Sequence, residues 1–166
     1  MIKEIKAPEK VNWDTAATDP IIFLAGSIEM GTAEQWQKTT KDYLQKHLPG
    51  DAVLLNPRRD DWDSSWVQSI KNKQFKQQVN WELEGMERSD YTFMYFSPGT
   101  KSPITLLELG LHCPYPDNQT IVVCPDGFWR KGNVDVTCEY FNIPVFTKFT
   151  AALDELIRVI SSEWGY

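Results

Sequence analysis

Hydrophobic positions along the chain fall into short unbroken runs, separated by stretches in which they recur every three or four residues. The clearest run is 91–96, Tyr-Thr-Phe-Met-Tyr-Phe. Its lack of polar alternation predicts a strand buried on both faces. Similar runs at 20–26, 51–56, 120–124 and 143–146 predict four further strands. The intervening spacing predicts helices ending near His47 and over 73–88, 103–112, 133–141 and 150–162. Thr32-Ala-Glu-Gln35 matches a capping box and is expected to open the first helix, which Pro49-Gly50 stops. Pro103 suits a first helical turn, where its missing N–H costs nothing. Residues 1–19 are polar and irregular and read as an N-terminal arm, with Trp13 as its candidate anchor.

Strand and helix thus alternate five times, with no repeat and no domain-scale linker. That predicts one α/β domain over 1–166: a flavodoxin-like (Rossmann-like) five-stranded parallel sheet, order 2-1-3-4-5, with helices on both faces. A length of 166 residues suffices for a proper core, and 42% hydrophobic residues argue against disorder. The net charge of −6, without a block of like charges, argues against a nucleic-acid polymer or a membrane surface as partner. No apolar run approaches about 18 residues and no signal-peptide core is present, so a cytoplasmic location is expected. Cys113, Cys124 and Cys138 are well separated, outside any CxxC pattern, and read as free thiols in a reducing compartment. With only His47 and His112 beside them, no metal and no cofactor are expected.

In open α/β sheets, ligands bind outside the carboxyl ends of the strands. The helix from Pro103 begins just after such an end and carries Glu108 among Leu106, Leu107, Leu109 and Leu111. Either Glu108 snorkels to solvent, or it faces a cleft and does chemistry. Glu82, on the preceding helix, is a candidate partner, because paired carboxylates can divide nucleophile and acid/base roles. Glu84 and Glu87 read better as a solvated face with Arg88. Gly26-Ser27 and Gly99-Thr100-Lys101-Ser102 lead into helix N-termini, which suits either ordinary turns or anion binding. Neither loop has the spacing of a P-loop or of a GxGxxG dinucleotide fingerprint. Loop 58–69 is longer than a compact domain usually carries. In it, Arg58, Arg59, Asp60, Asp61 and Asp63 either clamp a substrate or pair with one another. Trp62, Trp66, Phe128 and Trp129 lie on loops at the same predicted edge, singly packing groups, together a platform for a flat aromatic ligand.

The segments Phe23-Leu-Ala-Gly-Ser27, Glu82-Leu-x-Gly-Met-x-x-Ser-Asp90 and Leu-Leu-Glu108-Leu-Gly110 resemble, in order and spacing, the nucleoside 2-deoxyribosyltransferase superfamily. The resemblance covers about residues 20 to 125. It implies that Glu108 attacks the anomeric carbon of a nucleoside and that Glu82 holds and protonates the base. It counts Gly26, Ile28 and Asp90 among the substrate-binding positions, and the aromatic loops would sandwich the base. The classical transferases carry an aspartate six residues before the nucleophile, where this chain has Ser102. That serine, with Gly-Ser-Ile28 after the first strand, is more similar to the related deoxynucleoside 5′-monophosphate N-hydrolases, whose hydroxyls bind the 5′-phosphate. Lys101 would add positive charge there. The resemblance also implies a homo-oligomer whose sites are completed by C-terminal residues, here Trp164-Gly-Tyr166.

The sequence therefore leads to an enzyme of the N-glycosidic bond acting on a small nucleoside or nucleotide, by transfer or by hydrolysis. From a different class, a non-catalytic nucleotide-binding module would use the same cleft. An electron-transfer flavodoxin would have to explain away Arg58, Arg59 and Lys101.

Overall fold

The computed structural model describes residues 1–16, 18–28, 34–113 and 119–166. Six strands, β1 (Ile2–Lys6), β2 (Ile21–Gly26), β3 (Ala52–Asn56), β4 (Tyr91–Tyr95), β5 (Gln119–Val123) and β6 (Val145–Phe146), form one sheet in the order β1-β3-β2-β4-β5-β6. Every pairing is parallel, with Phe23 opposite Thr92 and Leu55, and Phe93 opposite Ile121. The last five strands keep the expected 2-1-3-4-5 order, so the fold is flavodoxin-like with one strand added at the edge.

That added strand corrects the expected arm. Ile2-Lys-Glu-Ile5-Lys6 alternates too little to announce a strand, yet Ile2 and Ile5 are buried on opposite faces of the sheet. The polar residues between them find partners instead of solvent. Glu4 accepts from Asn56 Nδ2 at 2.7 Å and from Lys41 Nζ at 2.9 Å. Trp13 opens the short α1 (Trp13–Ala16) and does anchor the arm, donating to Glu84 at 3.0 Å beneath the Arg88 guanidinium.

Helices cover both faces because parallel strands need crossovers. On one face, α2 (Trp36–His47) and α6 (Phe149–Trp164) pack Trp36, Leu44, Leu153, Leu156 and Ile160 against Ile22, Leu24, Leu54 and Phe93. On the other, α3 (Lys73–Arg88), α4 (Pro103–His112) and α5 (Lys131–Tyr140) pack Met86, Leu109, Val134 and Cys138 against Phe23, Leu55, Met94 and Val122. Gly85 lets α3 approach β2 closely: a Cβ there would lie 2.9 Å from the Phe23 ring. α2 begins at Trp36, with Gln35 as a flank that makes no side-chain cap; the expected capping box starts at Thr32, which lies outside the described residues. By contrast α3 is capped by Asn72, which accepts from Phe75 N at 3.0 Å. All three cysteines are buried free thiols. Among the described residues, no helix is long and apolar enough to cross a membrane.

Candidate active site

Each helix runs antiparallel to the strand before it, so the N-termini of α2, α3 and α4 gather at the carboxyl edge of the sheet. At the end of β2, Gly26 takes φ +153, and a Cβ would lie 2.5 Å from Tyr95 O. Only glycine fits that approach. The chain then turns so that Ser27 N donates to Tyr95 O at 3.0 Å, while Trp36 Nε1 donates to Ser27 O at 2.9 Å. Ser27 Oγ accepts from Ser97 N at 2.9 Å and lies 3.0 Å from Thr100 Oγ1 and 2.5 Å from Ser102 Oγ. Thr100 Oγ1 and Ser102 Oγ are 2.7 Å apart, closing a triangle of three buried hydroxyls. Ser102 sits in the left-handed region (φ 46, ψ 51) immediately before Pro103. For a non-glycine residue that conformation costs about 1–2 kcal/mol, and it turns the hydroxyl into the triangle instead of onto the helix, where it makes no cap. Thr100, which completes the triangle, stands in the loop whose sequence suits either an ordinary turn or an anion site.

Glu108 belongs to the inward stripe of α4 formed by Thr105, Glu108, Leu109 and His112. It is 7% exposed, so it does not snorkel. Among the described residues its carboxyl has no hydrogen-bond partner. Burial first, and the neighbouring Glu82 charge second, push its pKa up to about 8. Burial also raises the pKa of Glu82, opposed by a hydrogen bond from Gln78. Gln78 lies one turn earlier on α3, and its Nε2 donates to both Glu82 Oε1 at 2.9 Å and Pro57 O at 2.8 Å. This amide, which sequence reasoning missed, ties Glu82 to the end of β3. Glutamine four residues before glutamate on a helix is the signal that was available. Glu108 is thus buried and Glu82 half-buried, on two helices, close enough for the charge of one to raise the pKa of the other.

The charged loop after β3 mostly pairs with itself. Arg59 is buried and gives Nε and Nη2 to Asp61 at 2.5 and 3.1 Å, with its guanidinium 4.9 Å from the Trp66 ring centre. Lys6 binds Asp60, and Asp63 accepts from Ser65 N. Arg58 differs: its Nη1 is buried without a partner. Trp62 packs edge-on against Trp66 at 5.1 Å. Across the edge, Trp129 is 48% exposed, donates to Lys101 O at 3.0 Å, and lies between Lys101 Nζ at 4.6 Å and Arg130 at 4.3 Å. Ile28, next to Ser27, is half-buried.

Three expected residues do not join this group. Phe128 is a core residue, 4% exposed and packed on Phe96 at 4.9 Å, because it follows a turn that returns inward. Asp90 precedes β4 at the opposite, amino edge, where its Oδ2 accepts from Ile21 N at 2.8 Å. Tyr166 also lies at that edge, its ring on Gly50 and its hydroxyl 3.3 Å from Asp51 O. Glu84 and Glu87 are exposed, and Glu84 pairs with Arg88.

A solved structure described as a conserved protein from Enterococcus faecalis V583 superposes with a TM-score of 0.59 at 12% identity, covering 87% of this chain and 99% of its own. That likeness shows the fold alone. No curated protein matches the chain. The sequence profile described as "Nucleoside 2-deoxyribosyltransferase like" matches residues 19–128, a span holding Ser27, Glu82, Ser102 and Glu108. The chain therefore belongs to the nucleoside 2-deoxyribosyltransferase like family.

Proposed function

We propose that the protein cleaves the N-glycosidic bond of a (deoxy)nucleoside or its 5′-monophosphate. The observation that carries this reading is Glu108, a buried side chain whose carboxyl has no hydrogen-bond partner among the described residues, near Glu82 at the ligand-binding edge of the sheet. In the proposed reaction a Glu108 carboxylate oxygen forms a bond to the anomeric carbon. The C–N bond breaks with its electron pair going to the base, and Glu82 supplies the proton that neutralises the leaving base. Water or an acceptor base then gives its proton to Glu82 and takes the sugar from Glu108. Two neighbouring carboxyls that resist joint ionisation hold one proton between them, which is the stoichiometry this division needs. The pair carrying one proton is the active form, so the rate should fall as pH rises above about 8, where both carboxyls ionise and no proton is left for the base.

The hydroxyl triangle favours a 5′-monophosphate over a free nucleoside. Ser27, Thr100 and Ser102 meet at the N-terminus of the ten-residue α4, and Lys101 lies beside them. Phosphate oxygens would replace the bonds that the hydroxyls now make with each other. Ile104, Leu107 and Leu111 form an exposed apolar stripe on the outer side of α4, which supports association of copies of the chain. A cytoplasmic location fits the three free thiols.

The test is chromatographic. Pooled deoxynucleosides, and separately their 5′-monophosphates, are incubated with and without an acceptor base. Base release only with acceptor establishes transfer; release from monophosphates alone establishes hydrolysis. Nucleotide binding that survives Glu108→Gln, with no base release from any pool, would replace the enzyme by a binding module.

A further inference from the structure

Gln78 is 4% exposed and its amide can be oriented without ambiguity. Pro57 O only accepts hydrogen bonds, so the amide group 2.8 Å from it is the NH2 and not the carbonyl. The second N–H of that group goes to Glu82 Oε1 at 2.9 Å. Both donors are therefore spent. What remains is Oε1, buried and without a partner. By the covalent geometry of an amide, this oxygen lies within about 5 Å of the Glu82 carboxyl oxygen. A lone buried acceptor beside a proton-donating acid is an asymmetric reader. It accepts a donor and penalises another acceptor, because two oxygens facing each other away from water leave both unpaired.

We propose that Gln78 Oε1 selects the leaving base: one in which the ring nitrogen that meets Glu82 is flanked by an exocyclic amino group. The inference rests on the glycosidase reading above. Adenine presents this pair as N7 with the 6-amino group, and cytosine as N3 with the 4-amino group. Hypoxanthine and uracil place a carbonyl oxygen where the amine would be, against Gln78 Oε1. Guanine does the same at its N7 edge, but offers an amine beside N3, so hypoxanthine is the cleaner comparison. Gln78 cannot adapt by flipping, since its carbonyl would then face Pro57 O. Pro57 thus sets the direction of the preference.

The experiment compares base release from the 5′-monophosphates of deoxyadenosine and deoxyinosine, which differ at one exocyclic group. A buried acceptor left unpaired should favour the amino base by roughly ten- to hundred-fold in kcat/KM. Gln78→Met removes the acceptor with little change in shape; it should slow both substrates while bringing their ratio towards one. A purely positioning role through Glu82 would slow both and leave the ratio unchanged. Equal or better release of hypoxanthine by the unaltered protein overturns the proposal, and so does a ratio unmoved in Gln78→Met. Gln78→Leu, which also removes the acceptor, gives the same reading should the Met variant fail to fold. If no base is released from either nucleotide, the reaction reading fails. Calorimetric binding of the same two nucleotides then decides the selection alone: a preference for the amino base lost in Gln78→Met sustains it, and equal binding overturns it.

Discussion

The two edges of the sheet carry the same kinds of residue and treat them in opposite ways. At the amino edge every acid noted has a fixed partner. Asp90 accepts from Ile21 N, Glu163 from the Tyr91 hydroxyl and the Gln119 amide, and Asp51 from the chain's amino group. At the carboxyl edge, Glu108 is 7% exposed and makes no hydrogen bond among the described residues, Gln78 Oε1 and Arg58 Nη1 are buried without partners, and Ser102 is held in a left-handed conformation. Folding alone rewards the first arrangement and penalises the second. Two hydroxyls toward the amino edge, Thr92 Oγ1 and Ser161 Oγ, are also buried without partners, so the contrast lies in the charged and amide groups: fixed at the amino edge, open to a ligand at the other.

The strongest way to break this contrast is to alter Glu108. Glu108→Gln should lower kcat/KM by about 10³-fold or more, since an amide cannot form the glycosyl ester. Measured against a deoxynucleoside 5′-monophosphate, activity within tenfold of the parent would remove Glu108 from the reaction. The same variant tests the energetic half of the comparison. The Glu108 pKa is pushed up to about 8 in the folded chain against 4.5 for a free glutamate carboxyl. The folded state therefore holds its proton more tightly. The associated stability is complete below about pH 4.5 and is lost as pH rises towards 8. Glu108→Gln has no such proton to lose, so its stability relative to the parent should grow between pH 5 and pH 9, by an amount on the order of 4 kcal/mol. Urea unfolding at both pH values measures it; a gap independent of pH would mean that Glu108 is not held as a buried acid.

Next in size is Glu82→Gln, expected to slow base release by about 10²-fold, the usual weight of a positioned proton donor. The loss should be larger for a base that leaves poorly as an anion than for one that leaves well. Chromatographic rates with good and poor leaving bases show it, and an equal loss for both would give Glu82 a role in holding the base rather than protonating it.

The contrast also explains what could be read from the sequence. The five strands β2 to β6 and the crossover helices were legible, since runs such as 91–96 have no other use in a chain of this size. Glu108 was legible as an anomaly among leucines, and its resolution needed only the burial of its helix face. Strand β1 was not, because Lys3, Glu4 and Lys6 disguise it; Glu4 is tolerated only through Asn56 and Lys41, distant in sequence. Phe128 and Trp129 are adjacent aromatics on one turn, yet one is core and the other rim, a distinction set by which way the turn faces. Gln78 was silent for a related reason. Its significance lies in a partner on another element, Pro57, that no local pattern brings to it.

The smallest expected effect comes from the amino edge. Asp90→Ala removes the acceptor for Ile21 N at the start of β2, a single exposed-side hydrogen bond at 2.8 Å. It should lower stability by about 1 kcal/mol, or about 2–4 °C in Tm for a domain of this size. Activity per folded molecule should stay within about twofold, because β4 runs the length of the sheet between Asp90 and the hydroxyl triangle and its five residues are all buried in packed core. The opposite pattern, unchanged Tm with activity lost by a hundredfold, would mean that the amino edge does meet substrate. Within one chain that edge is a sheet's length from Ser27, so the contact would have to be made by a neighbouring copy. Asp90 and Tyr166, which share this edge, would then complete the site of the next subunit.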